Sequence, residues 1–252
     1  MKVAVVIPTR MAASRFPGKP LTPIMGIPMV EHVYRRCSLA VPTESIFIAT
    51  CDREIYELGR SWGANVIMTS DQHVRCTDRV AEAMKNFDGD VVVNVQGDEP
   101  VLDPDCIKQV LSAFGKDAKC LASNLIQKMN VTDDDPGNYN TVKVVFNQKL
   151  EALYLSREPI PTPKKSDAEP RHYYKQTGIM AFNRQFLQTF THLPPTPLEK
   201  IESVDMLRLI EHGFKLQFVD SPSKFYSVDI PSDVKKVEEA LLADVHFQLY
   251  RR

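Results

Sequence analysis

Two stretches of this sequence concentrate side chains able to do chemistry. The first reads Pro8-Thr9-Arg10-Met11-Ala12-Ala13-Ser14-Arg15-Phe16-Pro17-Gly18-Lys19-Pro20 and follows the apolar run Val3 to Ile7. Cations among small residues at the end of a strand suit a polyphosphate, which backbone N–H groups and guanidinium forks can hold together. Neither GxGxxG nor GxxxxGK followed by Ser or Thr occurs here, which disfavours a dinucleotide cofactor and a Walker-type ATPase. A solvated basic loop is the plainer alternative, and the position at a strand end favours phosphate.

The second stretch, Asn94-Val95-Gln96-Gly97-Asp98-Glu99-Pro100, ends the apolar run that starts at Asp90. Gly97 would let backbone approach a ligand closely. Hard carboxylate oxygens facing a phosphate loop suit Mg2+, which takes one or two carboxylates and fills its other positions with water and substrate phosphates. Asp229, in Tyr226-Ser227-Val228-Asp229-Ile230-Pro231, is a second candidate ligand. Its plainer role is to N-cap the last helix, for which Ser227 and Ser232 also qualify.

A third cluster, Met68 to Arg79, is rich in donors and acceptors suited to a nucleobase edge. Taken singly, Thr77 or Asp78 reads as a helix cap and His73 as an exposed loop histidine. Cys76 has no histidine at a diagnostic spacing and receives no nucleophilic role.

The elements that must position these loops alternate through the first half of the chain. Short β-branched runs (Val3 to Ile7, Ile46 to Thr50, Val66 to Met68, Val91 to Val95) alternate with amphipathic stretches (Pro28 to Leu39, Arg53 to Trp62, Thr77 to Lys85). This pattern predicts a largely parallel sheet with helical crossovers, whose ligands bind at the carboxyl ends of strands. After about residue 140, Val142 to Phe146 and Ala152 to Leu155 lie too close for a crossover and predict an antiparallel hairpin. The Pro-rich segment 159 to 171 predicts an exposed arm. A strand near Thr177 to Phe182, a helix over Leu198 to Glu211, a strand at Leu216 to Val219 and a helix from about Pro231 follow.

The 252 residues suffice for one large or two small domains. One α/β domain spanning 1 to 252 is expected, with an insertion over about 140 to 182. Thirty-one Lys and Arg against 32 Asp and Glu leave a net charge of −1, so no overall field favours nucleic acid or an anionic membrane. No apolar run approaches the ~18 residues of a membrane span, and MKVAVVIPTR is too short for a secretory signal. Five cysteines without CxxC spacing argue against a disulfide framework or a zinc site. Reduced thiols and a cytoplasmic place are expected.

The segments PTRMAASRFPGKPL, NVQGDEP, the TDR of Thr77 to Arg79, NTVKVV, LYLSREPIP, PLEKIESVDMLR and SVDIPSD occur in one order. Together they resemble the 3-deoxy-manno-octulosonate (KDO) cytidylyltransferases from residue 1 to about 240. The resemblance implies a Rossmann-like α/β nucleotidyltransferase core with a mixed, mainly parallel sheet. It also implies a homodimeric, Mg2+-dependent enzyme that joins CTP to a 3-deoxy sugar acid and releases pyrophosphate, supplying lipopolysaccharide or capsule.

By position, the resemblance makes Asp98 and Asp229 metal ligands and Lys19, Arg10, Ser14 and Arg15 parts of the phosphate loop. Pro8 and the Met68 to Asp78 segment, with Arg75, Thr77 and Asp78, correspond to the cytidine site. Gln96, Arg157, Lys175, Gln176, Glu199 and Glu202 correspond to the sugar side. Lys19, Asp98 and Asp229 would carry catalysis, and no general base is demanded if metal coordination activates the attacking hydroxyl.

Two departures from the family pattern bear on substrate. Arg75-Cys76 stands where Ser-Gly is common before Thr-Asp-Arg. Lys175-Gln176-Thr177-Gly178-Ile179-Met180 stands where Arg-His-x-Gly-Ile-Tyr is common. KDO is the first acceptor expected; an 8-amino analogue, a sialic-acid-like acid and a phosphonate remain open, as does a catalytically silent nucleotide-binding protein.

Overall fold

The structure, a computed structural model, describes residues 1–12, 15–130, 134–162 and 172–251. Ser14 and residues 163–171 of the Pro-rich arm lie outside the described residues. Contacts group the chain into two compact units, residues 1–108 with 224–252, and residues 109–223.

The first unit is built on strand β1 (Val3–Pro8), buried from Ala4 onward. A two-residue hairpin of β2 (Pro23–Ile24) and β3 (Ile27–Pro28) turns at Met25 and Gly26, both at positive φ. Helix α1 (Met29–Ser38) follows, with Pro28 as its N-cap. Then come β4 (Ile46–Thr50), α2 (Arg53–Ser61), β5 (Asn65–Met68), α3 (Cys76–Ala83) and β6 (Val91–Val95). Four strands pair in parallel in the order β6-β1-β4-β5, with Val5 opposite Ile46 and Val6 opposite Asn94. Parallel pairing requires crossovers, and α1, α2 and α3 lie where the alternation predicts them.

Helix α4 (Asp105–Lys116) carries the chain onward. The second unit holds β7 (Ala122–Lys128), β8 (Lys143–Phe146), β9 (Ala152–Ser156), β10 (Tyr174–Asn183), α5 (Arg184–His192), α6 (Pro197–Glu202), α7 (Met206–Glu211) and β11 (Gln217–Asp220). Strand β11 runs parallel to β7, and β7 antiparallel to β10. Strand β8 pairs antiparallel with both β10 and β9, so the predicted hairpin is present.

Two features of this unit depart from the sequence pattern. The single helix expected over Leu198 to Glu211 is two helices, because Ser203 takes a left-handed φ of 53° after α6. The Arg157 guanidinium holds the break: Nε donates to the Glu202 carbonyl at 2.6 Å and Nη2 to that of Ser203 at 3.3 Å. Strand β7 escapes sequence reading because two polar residues, Ser123 and Asn124, interrupt its apolar run and find their partners only inside the fold. Buried Ser123 donates to the Val110 carbonyl at 2.8 Å, and buried Asn124 donates to neighbouring carbonyls.

The chain returns to the first unit as α8 (Asp233–Leu242). Val237 and Leu241 pack with Ile24, Ile27, Met29, Val228 and Phe247 in one buried cluster, which Phe16 and Tyr226 flank. Arg36, fully buried, closes this end by pairing with Asp244 at 2.7 Å and donating to the Tyr250 hydroxyl at 3.0 Å.

Candidate active site

The carboxyl ends of β1 and β6 meet side by side in the first unit. Gly97 makes this approach feasible: a Cβ there would lie 3.2 Å from the Pro8 carbonyl oxygen and 3.3 Å from Thr9 Cβ. The loop after β1 is pinned at its start, where Met11 N–H donates to Asp52 at 2.8 Å. It closes where Gly18 N–H donates to the Met11 carbonyl at 3.1 Å. Gly18 has φ 74°, a conformation that costs glycine little and initiates the short 3-10 turn Lys19–Leu21.

Lys19 leaves this turn to join two distant segments. Its Nζ donates to Asp98 Oδ2 at 2.7 Å and to the Val228 carbonyl at 2.8 Å. Val228 N–H donates to the Asp98 carbonyl at 3.0 Å, and Ser227 Oγ donates to buried Glu99 at 2.8 Å. These bonds zip the 96–99 loop to the 226–229 segment and set Asp229 beside Asp98. Arg15 pairs with Asp229 at 2.8 Å. The two aspartates, 131 positions apart in sequence, thus converge on the N-terminal turn.

Their electrostatics are strained. Burial raises the Asp229 pKa, the neighbouring Asp98 raises it further, and Arg15 and Lys19 only partly offset this. Asp98 Oδ1 is buried and accepts no hydrogen bond among the described residues. An unpaired buried carboxylate oxygen is costly, and a site that keeps one is primed for a cation or a donor. No group of three or more His, Cys, Asp or Glu able to hold a metal occurs among the described residues. A cation here would draw two carboxylates from the chain and its remaining ligands from substrate oxygens and water, the pattern that Mg2+ accepts.

Pro8, Arg10, Lys19, Arg75, Gln96 and Asp98 all line one open cleft. Arg10 Nη1 donates to the His73 carbonyl at 3.2 Å, so the phosphate loop and the 70s loop are tied together. His73 is not the exposed histidine expected: its ring is half-buried, lines the cleft, and lies 2.5 Å from Glu82 Oε2. The Glu82 pKa is lowered by hydrogen bonds from Ser70 N–H and His73 and by nearby charge, which outweigh the opposing effect of burial.

Met68 ends β5 exposed and outside the cleft lining, Thr77 is fully buried in the first turn of α3, and Asp78 is half-covered beside it. Neither Thr77 nor Asp78 caps α3, whose N-cap is Arg75. At the last helix, Ser232 occupies the N-cap position of α8 without a side-chain capping bond, and Asp229 and Ser227 lie upstream of it. The carboxylate that gathers this turn is Asp233, which accepts from the N–H groups of Asp229 and Ile230 at 2.9 and 3.0 Å.

Arg79 ends the Thr-Asp-Arg triplet and the donor-rich cluster that starts at Met68, but spacing alone assigns it no role of its own. It is buried, lines the cleft, and donates through Nη1 to Thr69 Oγ1 and the Ser70 carbonyl; its Nη2 has no partner among the described residues. A buried guanidinium with an unused donor points to an acceptor on a ligand.

In the second unit the expected sugar-side residues are deeply engaged. Glu202 accepts from Ser156 Oγ and Arg157 N–H, both at 2.8 Å, and from the Tyr154 hydroxyl at 3.2 Å. Besides the α6 carbonyls, Arg157 donates to those of Tyr139 and Asn140. Glu199 is buried in a two-point pair with Arg208, at 2.6 and 2.8 Å, and takes part in a capping box with Thr196. Lys175 pairs with Asp134 at 2.8 Å, and Gln176 Nε2 donates to Asn124 Oδ1 at 2.6 Å.

A parallel sheet carrying cations and paired carboxylates beyond its strand ends places this site where open α/β sheets bind their ligands. The cytidylyltransferase family pattern matches residues 4–219, and the chain belongs to that family. It is 40% identical over 251 residues to the 8-amino-3,8-dideoxy-manno-octulosonate cytidylyltransferase of Shewanella sp. strain W3-18-1, covering 96% of this chain and 100% of that one. It is 38% identical over 250 residues to the 3-deoxy-manno-octulosonate cytidylyltransferase of Geobacter metallireducens, covering 96% and 98%. A solved CMP:2-keto-3-deoxy-manno-octonic acid synthetase complexed with CTP superposes with a TM-score of 0.88 at 34% identity, covering 96% of this chain and 99% of that one.

Proposed function

We propose that this protein transfers the cytidylyl group of CTP to a 3-deoxy-2-keto sugar acid of the KDO class, KDO or its 8-amino analogue, releasing pyrophosphate. The observation that carries this reading is the junction of Lys19, Asp98 and Val228 that sets Asp229 beside Asp98 at the mouth of the phosphate loop. The names of its relatives support cytidine chemistry and both acceptors.

A triphosphate brings about four negative charges, and catalysis of its transfer is largely positioning and charge neutralisation. Arg10, Arg15 and Lys19 supply cations from a pinned loop. Arg79 offers its spare donor to the nucleobase, and Gln96 borders the cleft where an acceptor would meet the α-phosphorus. Asp98 and Asp229 would hold Mg2+, supported by the unpartnered Asp98 Oδ1. When bound, Mg2+ supplies charge neutralisation on the phosphates and acidifies a coordinated hydroxyl.

On the sugar side, Lys175 and Gln176 are assigned to acceptor binding, and Glu202 and Arg157 to the scaffold that holds the break after α6. Glu199 acts through Arg208 as a positioning residue for α6. We assign the chain to a cytoplasmic homodimer whose contacts involve the β8–β9 hairpin, where Leu153 is exposed. No helix among the described residues is long and apolar enough to cross a membrane. The product suits the assembly of lipopolysaccharide or capsule.

The test is pyrophosphate release by purified protein with CTP, Mg2+ and a panel of sugar acids. Turnover with a KDO-class acid is expected. Turnover confined to a sialic-acid-like or phosphonate acceptor, or CTP binding without pyrophosphate release from any acid, would refute the assignment.

A further inference from the structure

Cys76 is the first residue of α3 and lines the cleft of the first unit. Its sulfur accepts from Asn94 Nδ2 at 3.8 Å, a side chain fully buried on β6. Arg10, Lys19, Arg75 and Arg79 line the same cleft, against a single lining carboxylate, Asp98, which Lys19 pairs. Arg79 lies three residues on from Cys76, on the same side of the helix. It is 2% exposed, and its Nη2 has no partner among the described residues. Asn94 Oδ1 is likewise buried and unpartnered among them. The thiol therefore shares its surroundings with a buried amide and a buried guanidinium, each keeping a polar atom to be satisfied.

The other four cysteines lack this setting. Cys37 and Cys106 are fully buried, and burial pushes the Cys37 thiol far above the ordinary range. Burial, with a smaller effect from the Asp117 charge, pushes Cys120 up to about 11. Cys51 is half-buried, and its thiol donates to Asp52 Oδ2 at 3.6 Å, so a carboxylate faces any anion that approaches it. Thiolate is the nucleophile of disulfide exchange, and the first turn of a helix among guanidinium groups favours it. Cations lining a concave site also draw anions in.

We propose that Cys76 is a thiol-modification site for small acidic disulfides, and that the mixed disulfide fills the cleft against the nucleotide. The Cys76 thiolate, its proton released to solvent, attacks one sulfur of the disulfide. A new S–S bond forms, the old one breaks, and the other half departs as a thiolate with the electron pair. Cys76 is oxidised and the departing half reduced, so the disulfide itself is the oxidant. Carboxylates of the attached half meet the cations of the cleft, and excess thiol reverses the step by the same exchange. The labelling stands on the cleft alone; its effect on turnover rests on the cytidylyl-transfer reading.

The experiment treats the purified protein with oxidised glutathione, which carries carboxylates, and with cystamine, a diamine disulfide of opposite charge. Each rate is scaled to that of the same disulfide with 2-mercaptoethanol. Mass spectrometry follows the occupancy of every cysteine with and without CTP and Mg2+, and calorimetry measures CTP binding in parallel. Cys76 should be labelled first, and about tenfold faster on the scaled rates by oxidised glutathione than by cystamine. That difference should shrink as salt is added. Bound CTP should slow the labelling of Cys76 and not of Cys51. Pyrophosphate release should fall in step with Cys76 occupancy and return with dithiothreitol, and Cys76→Ser should keep its own untreated rate in the presence of the disulfide. Labelling of another cysteine ahead of Cys76, a scaled preference for cystamine, bound CTP that leaves the labelling unchanged, or a Cys76→Ser variant inactivated like the wild type would each overturn the proposal. If Cys76→Ser does not fold, the wild type decides by itself, because inactivation that outruns Cys76 occupancy overturns the proposal. Selective labelling of a protein that neither binds CTP nor turns over would instead defeat the cytidylyl-transfer reading and leave the modification site standing.

Discussion

Charged residues cluster both at the strand ends of the first unit and around α6 of the other unit, similar in composition and opposite in behaviour. Around α6, Glu199 meets Arg208 at two points, and Glu202 and Arg157 bind hydroxyls, N–H groups and carbonyls. At the strand ends, two carboxylates lie close together, one raised in pKa and the other with a buried oxygen unpartnered. Satisfied charges hold a fold, and unsatisfied ones wait for a ligand. The contrast separates the catalytic centre from the scaffold more sharply than residue type does.

The contrast breaks most readily at its satisfied end. Arg208→Met leaves the Glu199 carboxylate buried without its countercharge and also removes the guanidinium stacked 5.0 Å from the Phe190 ring. Loss of one partner of a buried pair costs about 3–5 kcal/mol. Urea denaturation should show a loss of that size, and a variant as stable as the wild type would remove the distinction.

A smaller effect of opposite sign is expected at the strained end. Because the folded protein raises the Asp229 pKa, ionised Asp229 weakens the fold at neutral pH. Its contribution is favourable only below the ordinary carboxylate pKa and is lost as pH rises through the folded value. Asp229→Asn should therefore raise Tm at neutral pH, with the gain vanishing in acid, while turnover collapses. A lower Tm at neutral pH would show that the Arg15 pairing outweighs burial and the Asp98 charge.

Much of this architecture is legible in the sequence. The βα alternation announces the parallel sheet, because buried parallel strands are written as continuous apolar runs bounded by turn residues. The cations of the first loop and Asp98 are visible because a strand end is where such sheets place ligands. That Asp229 joins them cannot come from spacing. It depends on Lys19 and the Val228–Asp98 backbone bond closing over a long stretch of chain. Strand β7 stays hidden because Ser123 and Asn124 find partners only in the folded chain. The split of α6 from α7 stays hidden because Arg157, remote in sequence, captures the carbonyls at the break. His73 reads as exposed because its partner Glu82 lies on the last turn of α3, beyond the reach of local spacing.

The central claim is that Asp98 and Asp229 grip a metal-bound cytosine nucleotide above the loop of Arg10 and Lys19. Its most direct test is Asp98→Asn, which keeps the shape of the side chain and removes its charge, assayed for CMP-sugar formation across a Mg2+ titration with circular dichroism as the check on folding. The account predicts a folded protein whose turnover is lost at every Mg2+ concentration; near-normal turnover with unchanged Mg2+ dependence would contradict it.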